Sequence, residues 1–127
     1  MNAINAVVLA GDSRKGFVQE DVDNKSLLPI NGKPMVEYVI DALRESALIN
    51  HISITGPTAL LKEHLGDKVD FYMEDQGSLF DNVKAGLMPF ANDQAVLIIT
   101  SDIPMITGWM ITDFIQRCTL KGGDFCY

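Results

Sequence analysis

Two short apolar runs, each breaking directly into a polar turn, constrain this chain more than any other feature. Ala6-Val7-Val8-Leu9-Ala10 gives way to Gly11-Asp12-Ser13-Arg14-Lys15-Gly16, and the apolar stretch 95–100 gives way to Ser101-Asp102-Ile103-Pro104. Runs this short, uninterrupted and bounded by turn residues suit strands buried on both faces. A strand ending in glycine and a polar loop exposes backbone N–H groups where an anion can sit, and Arg14 and Lys15 add positive charge at that spot. Two such strand ends predict a ligand crevice at the carboxyl edge of a parallel sheet.

The segments between these runs alternate between strand and helix patterns. Residues 3–10 read as the first strand and 11–26 as a long polar loop carrying the acidic stretch Gln19–Asn24; loops of that length are commonly functional. Leu27–Ile30 is a short extended piece, Asn31-Gly32 a turn, and Pro34 a helix start. Over 34–47, Val36, Val39, Ile40, Leu43 and Ala47 share one face of an amphipathic helix. Ile52–Thr55 is a second strand, ended by Gly56-Pro57. Residues 58–65 form a short helix stopped by Gly66. Val69–Met73 alternates as a more peripheral third strand.

Ser78 caps a helix over 79–88 with Leu79, Val83 and Leu87 as its apolar face, and Pro89 ends it. The run 95–100 is a central fourth strand beside 6–10, which brings Gly11 and Asp102 to one crevice. Thr107 caps a last helix striped by Met110, Ile111, Phe114, Ile115 and Cys118, with Trp109 a partly buried anchor or a subunit contact. Phe125-Cys126-Tyr127 starts a further strand. Repeated strand–helix–strand order predicts an α/β fold, a doubly wound and mostly parallel sheet with helices on both faces.

At 127 residues the chain reads as one domain, and 47% apolar residues are enough for a core. A net charge of −7 argues against a nucleic-acid surface, which needs a basic face. It also means that a bound polyphosphate needs a metal ion or a local basic cluster to offset repulsion. The two cysteines, Cys118 and Cys126, read as small apolar residues of a reducing cytoplasm. No run reaches membrane-spanning length and no leader opens the chain, so a cytoplasmic location without a membrane partner is expected.

Leu9-Ala10-Gly11, Arg14, the segment Lys25-Ser26-Leu27-Leu28-Pro29-Ile30-Asn31-Gly32-Lys33-Pro34-Met35, and Ser101-Asp102-Ile103-Pro104 together resemble the MobA-like nucleotidyltransferases. That family is named for the guanylyltransferases of molybdenum cofactor biosynthesis. It is close to the sugar-phosphate and methylerythritol-phosphate nucleotidylyltransferases. The resemblance runs through the whole chain. It implies a Rossmann-type three-layer sandwich of the nucleotide-diphospho-sugar transferase kind, with residues 1–127 the N-terminal part of a longer nucleotidyltransferase domain.

Residue by residue, the resemblance implies that Leu9, Ala10, Gly11, Asp12, Ser13, Arg14 and Lys15 wrap the triphosphate of an NTP, GTP or CTP by family habit. Arg14 then meets the departing pyrophosphate, Lys25 the phosphate oxygens, and Asp102 the catalytic Mg²⁺. Gln76, Gly77 and Ser78 pass near the base. Attack on an α-phosphorus builds charge on phosphate oxygens, which a metal, a lysine and an arginine stabilise without a protein nucleophile. The acceptor implied is a small phosphorylated compound. Asp12 stands where the family has a second glycine, and Arg14 comes two residues early.

Taken as residues alone, Asp102 is equally a cap of the turn before Pro104, Lys25 a solvated loop lysine, and Gly11 a turn residue chosen for positive φ. Two other functions stay open. One is a non-catalytic nucleotide-binding module of the same fold, favoured by Asp12. The other is an assembly module, or homo-oligomer, that pairs through an open sheet edge near Tyr127.

Overall fold

The computed structural model describes residues 3–11, 29–90, 95–101, 103 and 105–121. Four parallel strands make the main sheet: β1 (Ile4–Leu9), β4 (Ile49–Gly56), β5 (Phe71–Glu74) and β6 (Val96–Thr100), in the order β5-β4-β1-β6. β2 (Pro29–Ile30) and β3 (Lys33–Pro34) form a separate antiparallel hairpin. Its turn, Asn31-Gly32, has positive φ at both residues, 53° and 80°, which suits a tight two-residue hairpin.

Pleat alternation divides the sheet into two unlike faces. Ala6, Val8 and Ala10 of β1, Ile52 and Ile54 of β4 and Ile99 of β6 point into the main core. There they meet Val36, Val39, Ile40 and Leu43 of α1 (Met35–Glu45) and Leu61 and Leu65 of α2 (Thr58–Leu65). Ile111 and Ile115 of α4 (Gly108–Lys121) complete this core. The α1 stripe forms as its periodicity predicts, although the helix ends at Glu45 and Ala47 is exposed. The Thr107 hydroxyl caps α4 by accepting the Met110 N–H at 3.2 Å.

The opposite face carries α3 (Leu79–Leu87), which lies across β1, β4 and β5. Here the expected apolar face needs correction. Leu79 is 61% exposed, and the residues of α3 that are buried are Asn82 and Gly86. The helix sits so close to the sheet that only a hydrogen fits at Gly86, against Val7 and Thr55. Ser53 and Thr55 lie fully buried on this face, and neither hydroxyl has a hydrogen-bond partner among the described residues.

Three further expectations change. β6 does lie beside β1, with Val7 opposite Ile98, but it is the outer strand of the described sheet and Ile98 is 46% exposed. An apolar run alone does not say which strand of a sheet it will be. Trp109 is exposed rather than a partly buried anchor. Cys118 is disulfide-bonded rather than a plain apolar thiol, and Cys126 lies outside the described residues. No helix among the described residues is long and apolar enough to cross a membrane. Helices on both faces of a parallel sheet are the doubly wound three-layer architecture that the alternating sequence predicts.

Candidate active site

Strand order decides where a ligand can enter. From β1 the chain moves outward through β4 to β5, then returns to the other side of β1 as β6. The direction therefore reverses between β1 and β6, and outside the carboxyl ends of two such strands is where open α/β sheets bind ligands. Leu9 stands opposite Thr100 in the parallel register, and the Ser101 N–H continues the pairing by donating to the Leu9 carbonyl at 3.3 Å. On the other flank the Ala10 N–H donates to the Thr55 carbonyl at 2.8 Å. Both hydrogen bonds hold the exit of β1 in place up to Gly11. Ala10 is fully buried, and Gly11 is the point at which the chain reaches the edge.

Gly11 is required for space, not for positive φ. Its backbone lies outside the left-handed region, so the turn-residue reading is corrected. A Cβ there would stand 2.6 Å from Asn82 Nδ2 and 3.0 Å from Asp75 Oδ1. The end of β1 is thus pressed against the segment that leads from β5 into α3.

That segment is built by local hydrogen bonding. Asp75 Oδ1 accepts the Gly77 N–H at 2.9 Å, closing a turn that Gly77 completes at φ 88°. The Ser78 hydroxyl accepts the Asp81 N–H at 3.2 Å and caps α3 as expected. Gln76 is exposed; its side-chain amide donates to the Glu74 carbonyl at 2.9 Å, and its backbone N–H donates to Asn82 Oδ1 at 2.6 Å. Asn82 Nδ2 in turn donates to Asp75 Oδ1 at 3.1 Å. Asp75 and Asn82 were not among the residues that the sequence pattern singled out. The available signal was a polar Asn where the helical spacing of 79–88 turns inward.

Of the predicted site residues, Leu9 ends β1 and Ala10 and Gly11 follow it; Gly11 meets Asn82 and Asp75, which accept the N–H groups of Gln76 and Gly77, and Ser78 caps α3. Asp12, Ser13, Arg14, Lys15, Lys25 and Asp102 lie outside the described residues. The other lysine of the Leu-Pro-x-x-Gly-Lys-Pro-Met segment, Lys33, is occupied elsewhere. Its ammonium pairs with Asp41 and lies 4.6 Å over the Tyr38 ring, while the Tyr38 hydroxyl donates to the Ile30 carbonyl at 2.6 Å. This ties the hairpin to α1. Burial pushes the Asp41 carboxyl up, but hydrogen bonds and charge from Lys33 and Lys68 outweigh it and hold the group below its ordinary value.

Among the described residues no three His, Cys, Asp or Glu side chains gather to hold a metal ion. At this edge Asp75 already spends Oδ1 on Gly77 and Asn82, so the described carboxylates do not by themselves supply a Mg²⁺ site.

Residues 6–127 match the family model described as the MobA-like NTP transferase domain. The chain is 30% identical over 105 residues to "Bifunctional protein GlmU" of Enterococcus faecalis, covering 80% of this chain and 22% of that protein. It is 29% identical over 119 residues to the Bacillus subtilis protein of that name, covering 91% and 26%. The chain thus spans about a quarter of the length of these curated relatives. Among solved structures it resembles a hypothetical transferase from Thermus thermophilus, with a TM-score of 0.72 at 27% identity over 96% of this chain and 48% of that one. The fold is also shared with a nucleotidyl transferase from Methanothermobacter, with a TM-score of 0.74 at 20% identity over 92% of this chain and 58% of that one. With residues 6–127 matched by its model, this protein belongs to the MobA-like NTP transferase domain family.

Proposed function

We propose that this chain carries the nucleotide-binding half of an enzyme that moves a nucleotidyl group from an NTP to a small phosphorylated acceptor. The observation that carries the reading is the Ser101–Leu9 hydrogen bond at the reversal point of the sheet. It sets the exits of β1 and β6 side by side, so in this reading Gly11 and Ser101 border one crevice. The same reading takes Gln76–Ser78 as the base side of the crevice, supported by the hydrogen bonds that tie Gln76 and Asp75 to Asn82 beside Gly11.

In this reading the triphosphate lies along Leu9–Lys15. An oxygen of the acceptor's phosphate attacks the α-phosphorus, a new P–O bond forms, and the bond to pyrophosphate breaks, so pyrophosphate leaves with the electron pair. Arg14 meets the departing pyrophosphate and Lys25 the phosphate oxygens. Asp102 is the residue that would hold Mg²⁺, and the ion would supply charge neutralisation at those oxygens. Most of the remaining catalysis is positioning, which the paired strand exits supply. The GTP or CTP preference, the cytoplasmic location and any link to molybdenum cofactor rest on the family resemblance alone.

The test is pyrophosphate release from each NTP with Mg²⁺ and a panel of small phosphate monoesters. The reading expects release with one acceptor and a loss of about a hundredfold or more in Asp102→Asn. Undiminished release in Asp102→Asn would contradict the assignment of that residue. Asp12 favours the second reading, a nucleotide-binding module without turnover. NTP binding with no release from any acceptor is the result that reading expects.

A further inference from the structure

Asn82 is a polar side chain in α3, the helix that among the described residues packs on this face of the sheet, and it is only 5% exposed. Asparagine is a poor helix former and costs free energy when buried unless both ends of its amide are satisfied. Here both are. Oδ1 accepts the Gln76 N–H and Nδ2 donates to Asp75 Oδ1. The orientation is forced, because a backbone N–H can only donate and an ionised carboxylate can only accept. The same amide fills the space that a side chain at Gly11 would need. One buried group therefore meets three residues: Gly11 at the exit of β1, the Asp75 carboxylate, and the backbone of Gln76.

We propose that Asn82 is a positioning residue. It sets the spacing between the β1 exit at Gly11 and the Gln76–Ser78 segment, so NTP affinity and discrimination among bases both depend on it without its touching the nucleotide. The inference rests on the nucleotide reading of the crevice given above. Three chemical consequences follow. Alanine at 82 leaves the Gln76 N–H and one lobe of Asp75 Oδ1 unpaired and opens room beside Gly11. Aspartate at 82 keeps the acceptor for Gln76 but sets two carboxylates against each other. Exchanging the two residues, Asn82→Asp with Asp75→Asn, does not repair the contact, because the one atom Asp75 Oδ1 accepts from both Gly77 and Asn82, and an amide at 75 can set only its oxygen or its NH2 there.

The experiment titrates the full chain and its variants with GTP, CTP, ATP and UTP in Mg²⁺, and follows backbone amide exchange at Gln76 and amide shifts at Gly11. Asn82→Ala and Asn82→Asp are expected to weaken the best NTP by about tenfold or more and to compress its advantage over the other three. Exchange at Gln76 should speed up in Asn82→Ala by a similar factor. The exchange pair, Asn82→Asp with Asp75→Asn, keeps the parent's net charge but should bind no better than the single variants, since it cannot rebuild the contact. A role confined to stability would lower the urea midpoint and leave the dissociation constant of the folded protein and the base preference unchanged, and that result overturns the proposal. Recovery of the parent's affinity and preference in the exchanged pair overturns it equally, because the Asp75–Asn82 contact would then not be what sets them. Should Asn82→Ala fail to fold, Asn82→Ser, which keeps a donor and an acceptor at shorter reach, is read in the same way. If the parent chain binds none of the four NTPs, the nucleotide reading fails. The coupling is then decided by the amides: shifts at both Gly11 and Gln76 in the variant uphold it, and a shift at Gln76 alone refutes it.

Discussion

Gly86→Ala sets two ordinary effects against each other, and the structure decides the sign. In an exposed helix, replacing glycine by alanine stabilises by about 1 kcal/mol. Gly86 is not exposed. A Cβ there would overlap Val7 Cγ1 and stand 3.5 Å from both Val7 Cβ and Thr55 Cγ2. Val7 cannot retreat, since it is fully buried in a strand paired on both sides. The helix must rise or the valine must leave its rotamer, and overpacking of that kind costs about 1–3 kcal/mol, more when backbone has to move. Subtracting the propensity gain leaves a net loss of up to roughly 2 kcal/mol, or a Tm lower by up to roughly 10 °C for a domain of this size.

The assay is urea unfolding of four proteins: the parent, Gly86→Ala, Val7→Ala and the double variant. Val7→Ala alone removes buried methyl groups and costs about 1.5–3 kcal/mol. In the double variant the new methyl occupies the space that the valine vacates. The two losses should then fall short of additivity by about 1 kcal/mol or more. An increase in stability in Gly86→Ala, or strict additivity of the two changes, would refute the close seating of α3 on β1.

Other changes test separate parts of the account. Thr55→Val replaces a buried hydroxyl that has no partner among the described residues with a methyl of the same shape, so stability in urea should be unchanged or rise by about 1 kcal/mol; a loss of that size would mean that the hydroxyl is in fact paired. Burial pushes the Asp70 carboxyl up, but the Ile52 N–H at 2.9 Å, the Arg44 guanidinium at 3.0 Å and charge at His51 outweigh it and hold the group below its ordinary 3.8. A depressed carboxyl stabilises the fold at pH values above its unfolded pKa and loses that contribution as pH falls through the folded one. The parent's urea midpoint should therefore fall more steeply than that of Asp70→Asn between about pH 5 and pH 2, and parallel curves would remove Asp70 from the account. Lys33→Ala should leave NTP affinity within about threefold because Asp41 and Tyr38 already hold that ammonium, whereas Lys25→Ala should lower it about tenfold and more for NTP than for NMP. The reverse ranking, read by calorimetry, would move the phosphate contact to the hairpin.

The fold was legible because its strands are apolar runs bounded by glycine, proline and polar turns, and its helices show clear periodicity. Val36, Val39, Ile40 and Leu43 pack as their spacing says, and Asn31-Gly32 and Ser78 turn and cap the chain as their chemistry says. The misreadings share a cause. Helical spacing marks large apolar residues, but α3 meets the sheet through its smallest residue, Gly86, and through the amide of Asn82, while Leu79 and Phe80 face outward. Likewise, the apolar run 95–100 could show that β6 pairs with β1 but not that Ile98 would be half exposed. At the site, the motif located the strand exits. The Asp75–Asn82–Gly11 junction depends on contacts between residues far apart in sequence and leaves no motif.

The central claim is that the edge formed by β1, β6 and the Asp75–Ser78 turn is a nucleotide site. Its most direct test is a thermal-shift panel of this chain with GTP, CTP, ATP and UTP, each with Mg²⁺ and with EDTA. A ligand at about 100 times its Kd adds roughly 2.7 kcal/mol, a rise of several degrees for a domain of this size. The account predicts such a rise with one NTP, dependent on Mg²⁺ and absent in Asp102→Asn. No shift with any of the four nucleotides would contradict it.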